Sequence, residues 1–487
     1  MSGLREFHNL VGGAVVPSRS GRVLDVVEPA TGRTWATIPR SDGDDVAAAV
    51  DAAVAARAEW AGMTVGQRAV FLQRVAAVLR DHLDELSEIE TRDCGRLLPI
   101  VRGGDLPGAA HMWESAAAEA SAVFRGEFVA PDQQTAAYTR RRPLGVVAGI
   151  IPWNAPIPTM TAKASAGLAA GNCVVIKAAE QAAAGVLRFA SLVADVLPPG
   201  VLNVISGLGP EAGEPLVRHP AVARVSLTGS SETGKLVARA GADTLTRYSF
   251  ELGGKSPNIV FEDADLDAAA RGVSTMGIYT DNAGQACIAG SRILVQRSVL
   301  DELIARIRDV VERDVRLGDP LDGSSTMGPL VSREQFERVT GYIELARREG
   351  GKVLFGGRWG DSLFPAGSPL ASGYFVEPTL IAVDDNSLRV CQEEIFGPVA
   401  TIMAFSDERE AIALANDTRY GLAAGVWSRD VGRSQRVAAA LDAGTVWVNT
   451  YRRYVPGVPF VGLKDSGYGA DTVLDNTCAT ACIMNVQ

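Results

Sequence analysis

A chain of 487 residues with 47 Lys and Arg against 57 Asp and Glu carries a net charge of −10, which argues against a nucleic-acid or anionic-membrane surface. Its basic residues reach no denser cluster than Arg140-Arg141-Arg142, and its length calls for two or three domains rather than one. Met1 to His8 lack the apolar stretch of a signal peptide, and no apolar run approaches the roughly 20 residues that span a bilayer, so a cytoplasmic, soluble protein is expected.

An N-terminal segment of short strand-like runs comes first, and two helices are predicted after it, over residues 44–63 and 64–90. In the second, Leu72, Val75, Leu79, Leu83 and Leu86 recur at helical spacing behind a candidate N-cap at Thr64. This pair is expected to pack on a sheet and to carry no chemistry. Residues 135–142 alternate in polarity, as an exposed hairpin strand does.

From Leu144 the pattern changes. Continuous apolar runs at 145–151, 173–176, 201–205 and 222–227 alternate with Ala-rich helical stretches. Strands without polar alternation are buried on both faces, which predicts a parallel sheet with helices on each side. Doubly wound sheets of this kind bind ligands at the carboxyl ends of their strands. Those ends are Pro152-Trp153-Asn154, Lys177-Ala-Ala-Glu180, Ser206-Gly-Leu-Gly209 and Thr228-Gly-Ser-Ser-Glu-Thr-Gly234. A second α/β unit is expected from Glu251 onward, with strands at 258–261, 293–296, 399–402 and 445–448. There is no internal repeat and no low-complexity linker, so the units should pack closely.

Cysteine and histidine usage narrows the chemistry. Cys94, Cys173, Cys287, Cys391, Cys478 and Cys482 contain no C-x-x-C pair, so reduced thiols are expected. His8, His82, His111 and His219 show no H-x-x-x-H or H-E-x-x-H spacing, and no metal site is expected. Gly229-Ser-Ser-Glu-Thr-Gly234 follows a strand and opens a helical stretch from Gly234 to residue 240. Backbone N–H groups and the helix dipole there suit a pyrophosphate, although a bare turn before a helix reads the same way. Neither this stretch nor Gly207-Leu-Gly209-Pro-Glu-Ala-Gly213 has the G-x-G-x-x-G spacing. Lys177 and Glu180 supply a further signal. A carboxylate at that strand end accepts both ribose hydroxyls and repels a 2′-phosphate, favouring NAD over NADP, whereas two solvated loop charges are the plain alternative. Gly254-Lys255-Ser256 is no phosphate loop, because position 249 is Ser and Pro257 follows.

In Asn282-Ala-Gly-Gln-Ala-Cys287-Ile-Ala-Gly-Ser-Arg292 a cysteine stands between small residues that leave its thiol accessible. Free cysteines are usually core, but Asn154, Glu251 and a candidate dinucleotide site upstream favour a nucleophile.

Phe250-Glu-Leu-Gly-Gly-Lys-Ser-Pro257, Gly284-Gln-Ala-Cys287, Glu393-Glu-Ile-Phe-Gly-Pro398, Ile151-Pro-Trp-Asn154 and Leu227-Thr-Gly-Ser230 together resemble the NAD(P)-dependent aldehyde dehydrogenase superfamily, in family order. The resemblance implies an α/β fold of two doubly wound Rossmann-type domains and a small β bridging element. It assigns 1–124 and 145–252 to NAD binding, 253–452 to a catalytic domain, and 125–144 with 453–487 to bridging segments that build a homodimer or homotetramer. The implied reaction is NAD-dependent oxidation of an aldehyde to the acid, with NADP also admissible. Cys287 would attack as thiolate, Asn154 and the Cys287 N–H would hold the oxyanion, and Glu251 would activate water against the thioester. Lys163 looks like the family's lysine near that base. Glu394 would hold the nicotinamide ribose, with Phe396 near the ring. Ile151 and Trp153 would line the cofactor cleft, or serve as core, and Lys177, Glu180, Gly209, Gly229, Ser230, Gly234 and Leu252 complete the expected cofactor contacts.

Several positions depart from the family pattern. Ala178 stands for a usual proline, Val461 for a usual glycine, and Gly469-Ala470-Asp471 for Gly-Arg-Glu, which makes an acid assisting the water one carbon shorter. Asp281, six residues before the nucleophile, replaces an often aromatic residue, and Ala162 an often occurring Trp. With Ile288 and Arg452 they predict a wider, more polar substrate pocket for a polar, anionic or hydroxylated aromatic aldehyde; Arg452 reads equally as a surface or subunit-contact residue. Two rival readings keep the fold: acyl transfer to coenzyme A, which Glu251 opposes, and a catalytically weak binding protein.

Overall fold

The computed structural model describes residues 4–455 and 458–486. The helix Gly43–Gly62 agrees with the sequence reading, and its successor begins at Val65 behind Thr64. There the Thr64 hydroxyl accepts from the Gln67 N–H while the Gln67 side chain accepts from the Thr64 N–H, a reciprocal cap. The single helix predicted over 64–90 is two, Val65–Asp81 and Leu83–Cys94, broken at His82, whose φ of −110° and ψ of 23° are not helical. Apolar spacing continues across the break, which is why periodicity alone does not reveal it.

Eight strands form the first sheet, in the order Gly467–Tyr468, Arg247–Glu251, Val222–Thr228, Val146–Ile150, Cys173–Lys177, Leu202–Ile205, Asn9–Val11, Ala14–Val16. Its five central strands run parallel, and Val146–Ile150, Cys173–Lys177 and Leu202–Ile205 in the middle are buried, as their apolar character requires. The second sheet has seven strands, with Pro257–Val260, Arg292–Gln296, Val399–Phe405 and Ala423–Trp427 near its centre and Thr445–Val448 at one edge. Sequence reading passes over Ala423–Trp427, whose small residues lack a strand signature. Tertiary packing demands them: a side chain at Gly425 would collide with the Asn258 amide and come within 3.0 Å of the Tyr451 ring.

A third sheet pairs Thr135–Pro143 with Thr477–Asn485 over nine positions and with Phe128–Val129. The stretch 453–487, expected to bridge, serves more than this sheet. Gly467–Tyr468 joins the first sheet antiparallel to Arg247–Glu251, and Leu463–Lys464 pairs with Tyr420–Gly421.

One connection decides where chemistry sits. Glu251 ends an edge-side strand of the first sheet, and after only five intervening residues Pro257 begins a central strand of the second. The loop carrying Cys287 leads directly into Arg292–Gln296, the neighbour of Pro257–Val260. The loop after Glu251, at the carboxyl end of its strand, and the Cys287 loop, at the amino end of Arg292–Gln296, therefore meet in one cleft. No helix among the described residues is long and apolar enough to cross a membrane.

Candidate active site

Two adjoining cavities share Pro152, Trp153, Thr228, Gly229 and Ser230 in their walls. The larger, about 750 Å³, is lined by Cys287, Asn154, Glu251, Leu252, Glu394 and Phe396. The other, about 590 Å³, reaches Ile151, Lys177, Glu180, Gly209 and Gly229. Residues from Ile151 to Phe396 thus meet along one channel.

The nucleophile loop is held by backbone constraints. Asp281, Ala283 and Gly284 adopt φ of 65°, 49° and 73°, and a side chain at Gly284 would collide with the Gly397 carbonyl. A side chain at Gly254 would collide with the carbonyl of Cys287 itself, so the paired glycines after Glu251 permit the two loops to touch. Gln285 fastens the turn from within. Its side chain accepts from the Val331 N–H at 2.9 Å and donates to Asn282 O at 3.1 Å.

Asn154 donates through Nδ2 to Gln285 O at 2.9 Å, and Asn282 Nδ2 donates to Asn154 O at the same distance. One Nδ2 hydrogen is thereby committed to orienting the amide. The other makes no hydrogen bond among the described residues, and Asn154 lines the same cavity as Cys287.

Cys287 is half-buried. Burial, reinforced by the negative fields of Glu394 and Glu251, pushes its thiol up to about 12, with only the Ile288 N–H and the more distant Arg452 opposing. The thiolate needed for attack is therefore disfavoured by its surroundings, burial and the two carboxylates outweighing the Ile288 N–H and Arg452. Glu251 is likewise raised, to about 8, by burial and by Asp471, with Lys163 opposing. Neither of its oxygens has a hydrogen-bond partner among the described residues.

Lys163, on the helix Pro156–Ala169, lies 2.8 Å from Asp471 Oδ2 and 2.7 Å from Ser226 Oγ. Ser226 and Ser249 both donate to Asp471 Oδ1, and Arg224 joins at 3.4 Å. Burial pulls Asp471 upward, but Lys163 and Arg224 win and bring it down to about 2. Asp471 is thus a fully engaged anion, and the expected role of an acid assisting the water is corrected to that of counter-ion for Lys163.

At the joint between the cavities, Glu394 Oε1 accepts from the Gly254 N–H at 2.9 Å, and burial raises its carboxyl to about 7. A side chain at Gly253 would collide with the other Glu394 oxygen. Phe396, at φ 62°, sets its ring edge-to-face on Trp153 with centroids 5.3 Å apart. The helix predicted from Gly234 begins three residues earlier, at Ser231, with Ser230 as its N-cap. Its free N–H groups therefore open directly behind Gly229, while Gly234 packs against Leu252. Lys177 Nζ meets Glu180 Oε2 at 3.1 Å, an ion pair at the strand end rather than two solvated charges. Ala178, lacking proline's ring, donates its N–H to Ile205 O at 2.8 Å.

The four residues expected to shape a polar substrate pocket are not in the wall of the Cys287 cavity. Asp281 and Arg452 are brought together, 2.5 Å apart, and Asp281 also faces Arg96 at 3.0 Å. Arg96 in turn grips Asp105 at 2.7 and 3.1 Å and reaches Asn154 O at 3.4 Å. The charges expected to meet substrate largely neutralise each other. Ile288 is core, its carbonyl accepting from the Tyr451 hydroxyl at 2.8 Å, and Ala162 is half-buried on its helix. Arg96, Asp105, Gln285 and, in the cavity wall, Gln335 and Arg338 escape sequence reading, because no local pattern distinguishes them from ordinary surface or turn residues.

The family model for the aldehyde dehydrogenases matches residues 15–483. The chain belongs to the aldehyde dehydrogenase family. It is 41% identical over 470 residues to acetaldehyde dehydrogenase 2 of Cupriavidus necator, covering 96% of this chain and 92% of that one. It is 39% identical to fluoroacetaldehyde dehydrogenase of Streptantibioticus cattleyicolor, covering 96% and 91%. Among solved structures, PnpE of Pseudomonas sp. WBC-3, also solved in complex with nicotinamide adenine dinucleotide, superimposes with a TM-score of 0.94 at 38% identity, over 99% of this chain and 98% of that one. As an aldehyde dehydrogenase the protein is an oxidoreductase that converts aldehydes to carboxylic acids, with the two sheets and bridging strands of that fold.

Proposed function

We propose that this aldehyde dehydrogenase uses NAD and acts through a covalent thioester on Cys287, with Asn154 as oxyanion donor and Glu251 as base. The observation that carries the reading is the convergence of a thiol, an amide with an uncommitted N–H and an unpartnered carboxyl on one cavity.

The channel suits a dinucleotide on its own features. Lys177 and Glu180 stand at the far end, the Ser231–Ala240 helix opens at the middle, and Glu394 waits at the joint, where only glycine fits beside it. Glu180 would take the adenosine ribose, Ser230 and the helix N-terminus the pyrophosphate, and Glu394 the second ribose. When bound, NAD supplies the acceptor for hydride.

Cys287 Sγ loses its proton to solvent and adds to the aldehyde carbon as thiolate. The carbonyl oxygen becomes an oxyanion held by the free Asn154 N–H and the Cys287 N–H. After oxidation to the thioester, Glu251 removes a proton from water, the hydroxide adds to the thioester carbon, and the acid leaves with Cys287 restored. An unpartnered Glu251 beside Cys287 favours this hydrolysis over acyl transfer to coenzyme A. The substrate is read as an aldehyde that enters the cavity lined by Cys287, Asn154 and Glu251. Assembly as a homodimer or homotetramer is proposed through the bridging sheet, where Phe128, Val129 and Ile483 are exposed. In the same reading, 1–124 with 145–252 bind the cofactor and 253–452 carry the catalysis.

Single-turnover kinetics on Cys287→Ala and Glu251→Gln test the mechanism. The first should show no burst of NADH, and the second a burst followed by stalled turnover. A Cys287→Ala enzyme with full dehydrogenase activity would overturn it.

A further inference from the structure

A cavity of about 400 Å³ lies away from the catalytic channel, between the first sheet and the C-terminal tail, and three arginines line it: Arg141, Arg224 and Arg247. Arg224 and Arg247 are register partners on adjacent parallel strands, so two like charges stand side by side, an arrangement that costs stability unless something negative offsets it. Arg141 reaches the same space from the bridging strand Thr135–Pro143.

The negative charge at hand is insufficient. Asp471 is already shared between Arg224 and Lys163. Asp475, the one acid in the wall, is exposed and accepts from Thr472. Arg224 is buried and nearly saturated, donating to Asn476 Oδ1 at 2.7 Å, Ser249 Oγ at 2.8 Å and Ala470 O at 2.6 Å. The Arg141 side chain makes a single bond, 3.2 Å to Thr477 Oγ1, and the Arg247 side chain makes no hydrogen bond or ion pair among the described residues. In a chain of net charge −10, a local excess of unspent guanidinium donors around a hollow calls for an anion.

We propose that this cavity is a binding site for a multiply charged oxyanion of the phosphate type, free or as the phosphate end of a small metabolite. Arg141 and Arg247 close on it from two sheets, and Arg224 forms the charged floor. Guanidinium forks match phosphate oxygens bidentately, and the volume accommodates a phosphate with a small organic group attached.

The test is titration calorimetry on the NAD-saturated enzyme, which keeps the pyrophosphate site filled, with inorganic phosphate and glucose 6-phosphate in separate arms. Saturable binding in the first arm, or tighter binding in the second, supports the site and separates the two sources. Arg141→Ala/Arg247→Ala should weaken that binding about tenfold or more while leaving phosphate-free turnover and thermal midpoint unchanged. No saturable heat in either arm, or equal affinity in the double variant, overturns the proposal. Because the readout is binding, it stands or falls apart from the catalytic mechanism.

Discussion

Lys163 and Asp471 stand 2.8 Å apart although 308 positions separate them, and the lysine pairs with this carboxylate rather than with Glu251. Glu251 is left with buried, unpartnered oxygens and a carboxyl raised to about 8. Replacing Asp471 by Asn should release Lys163 toward Glu251 and remove a neighbouring negative charge. Both changes favour the carboxylate, so the pH midpoint of steady-state turnover should fall below that of the wild type. An unmoved midpoint would mean that Asp471 has no electrostatic hold on the base.

In the wild-type enzyme the hydrolytic step needs Glu251 as carboxylate. Its folded value of about 8 lies above the ordinary 4.5, so the active form accumulates only as pH rises through about 8. Turnover limited by hydrolysis should climb across that window, and Glu251→Gln should flatten it. The same shift has a stability sign: between the ordinary and the raised value the folded state binds the extra proton, so stability falls as pH rises. Chemical denaturation at several pH values should show a smaller fall in Glu251→Gln.

Asn154→Ala removes one oxyanion donor and one tie to Gln285. The loss should be about 10²- to 10³-fold in kcat, with NAD affinity little changed. Equilibrium NAD titration beside steady-state kinetics separates the two. A variant losing only NAD affinity would contradict the assigned role.

Asp281→Ala breaks the row of charges that runs from Asp105 through Arg96 and Asp281 to Arg452. Arg96 is almost wholly buried and would keep one carboxylate instead of two. Breaking a buried pair in this way costs about 3 kcal/mol or more, read by urea unfolding. Because Arg96 also reaches Asn154 O, part of the damage should appear as lower kcat.

Glu180→Gln removes the carboxylate that opposes a 2′-phosphate and frees Lys177 to meet one. The ratio of kcat/KM for NADP to that for NAD should rise, by about tenfold for one lost charge repulsion of roughly 1.4 kcal/mol. An unchanged ratio would place cofactor choice elsewhere.

Much of the site is legible from the chain. Cys287, Glu251 and Asn154 each sit at a strand end or in a short glycine-bounded motif, and local motifs survive in one dimension. The two-sheet architecture is legible for a related reason, since buried parallel strands write themselves as continuous apolar runs. What escaped reading was set by neighbours distant in sequence. The break at His82, the small-residue strand Ala423–Trp427 and the partners Arg96 and Gln285 show no local anomaly that would mark them.

The sequence by itself determined the family and the fold class, and it singled out the residues proposed as nucleophile, oxyanion donor and base, because each rests on residue type within a short motif. Only the tertiary structure decided their protonation and company. Burial and the fields of Glu394 and Glu251 raise the Cys287 thiol, and Lys163 pairs with Asp471 while Glu251 has no hydrogen-bond partner among the described residues. The mutual neutralisation of Asp281 and Arg452 turns an expected polar pocket wall into a structural brace. Desolvation and Coulomb energy depend on distances through space, and those exist only once the chain has folded.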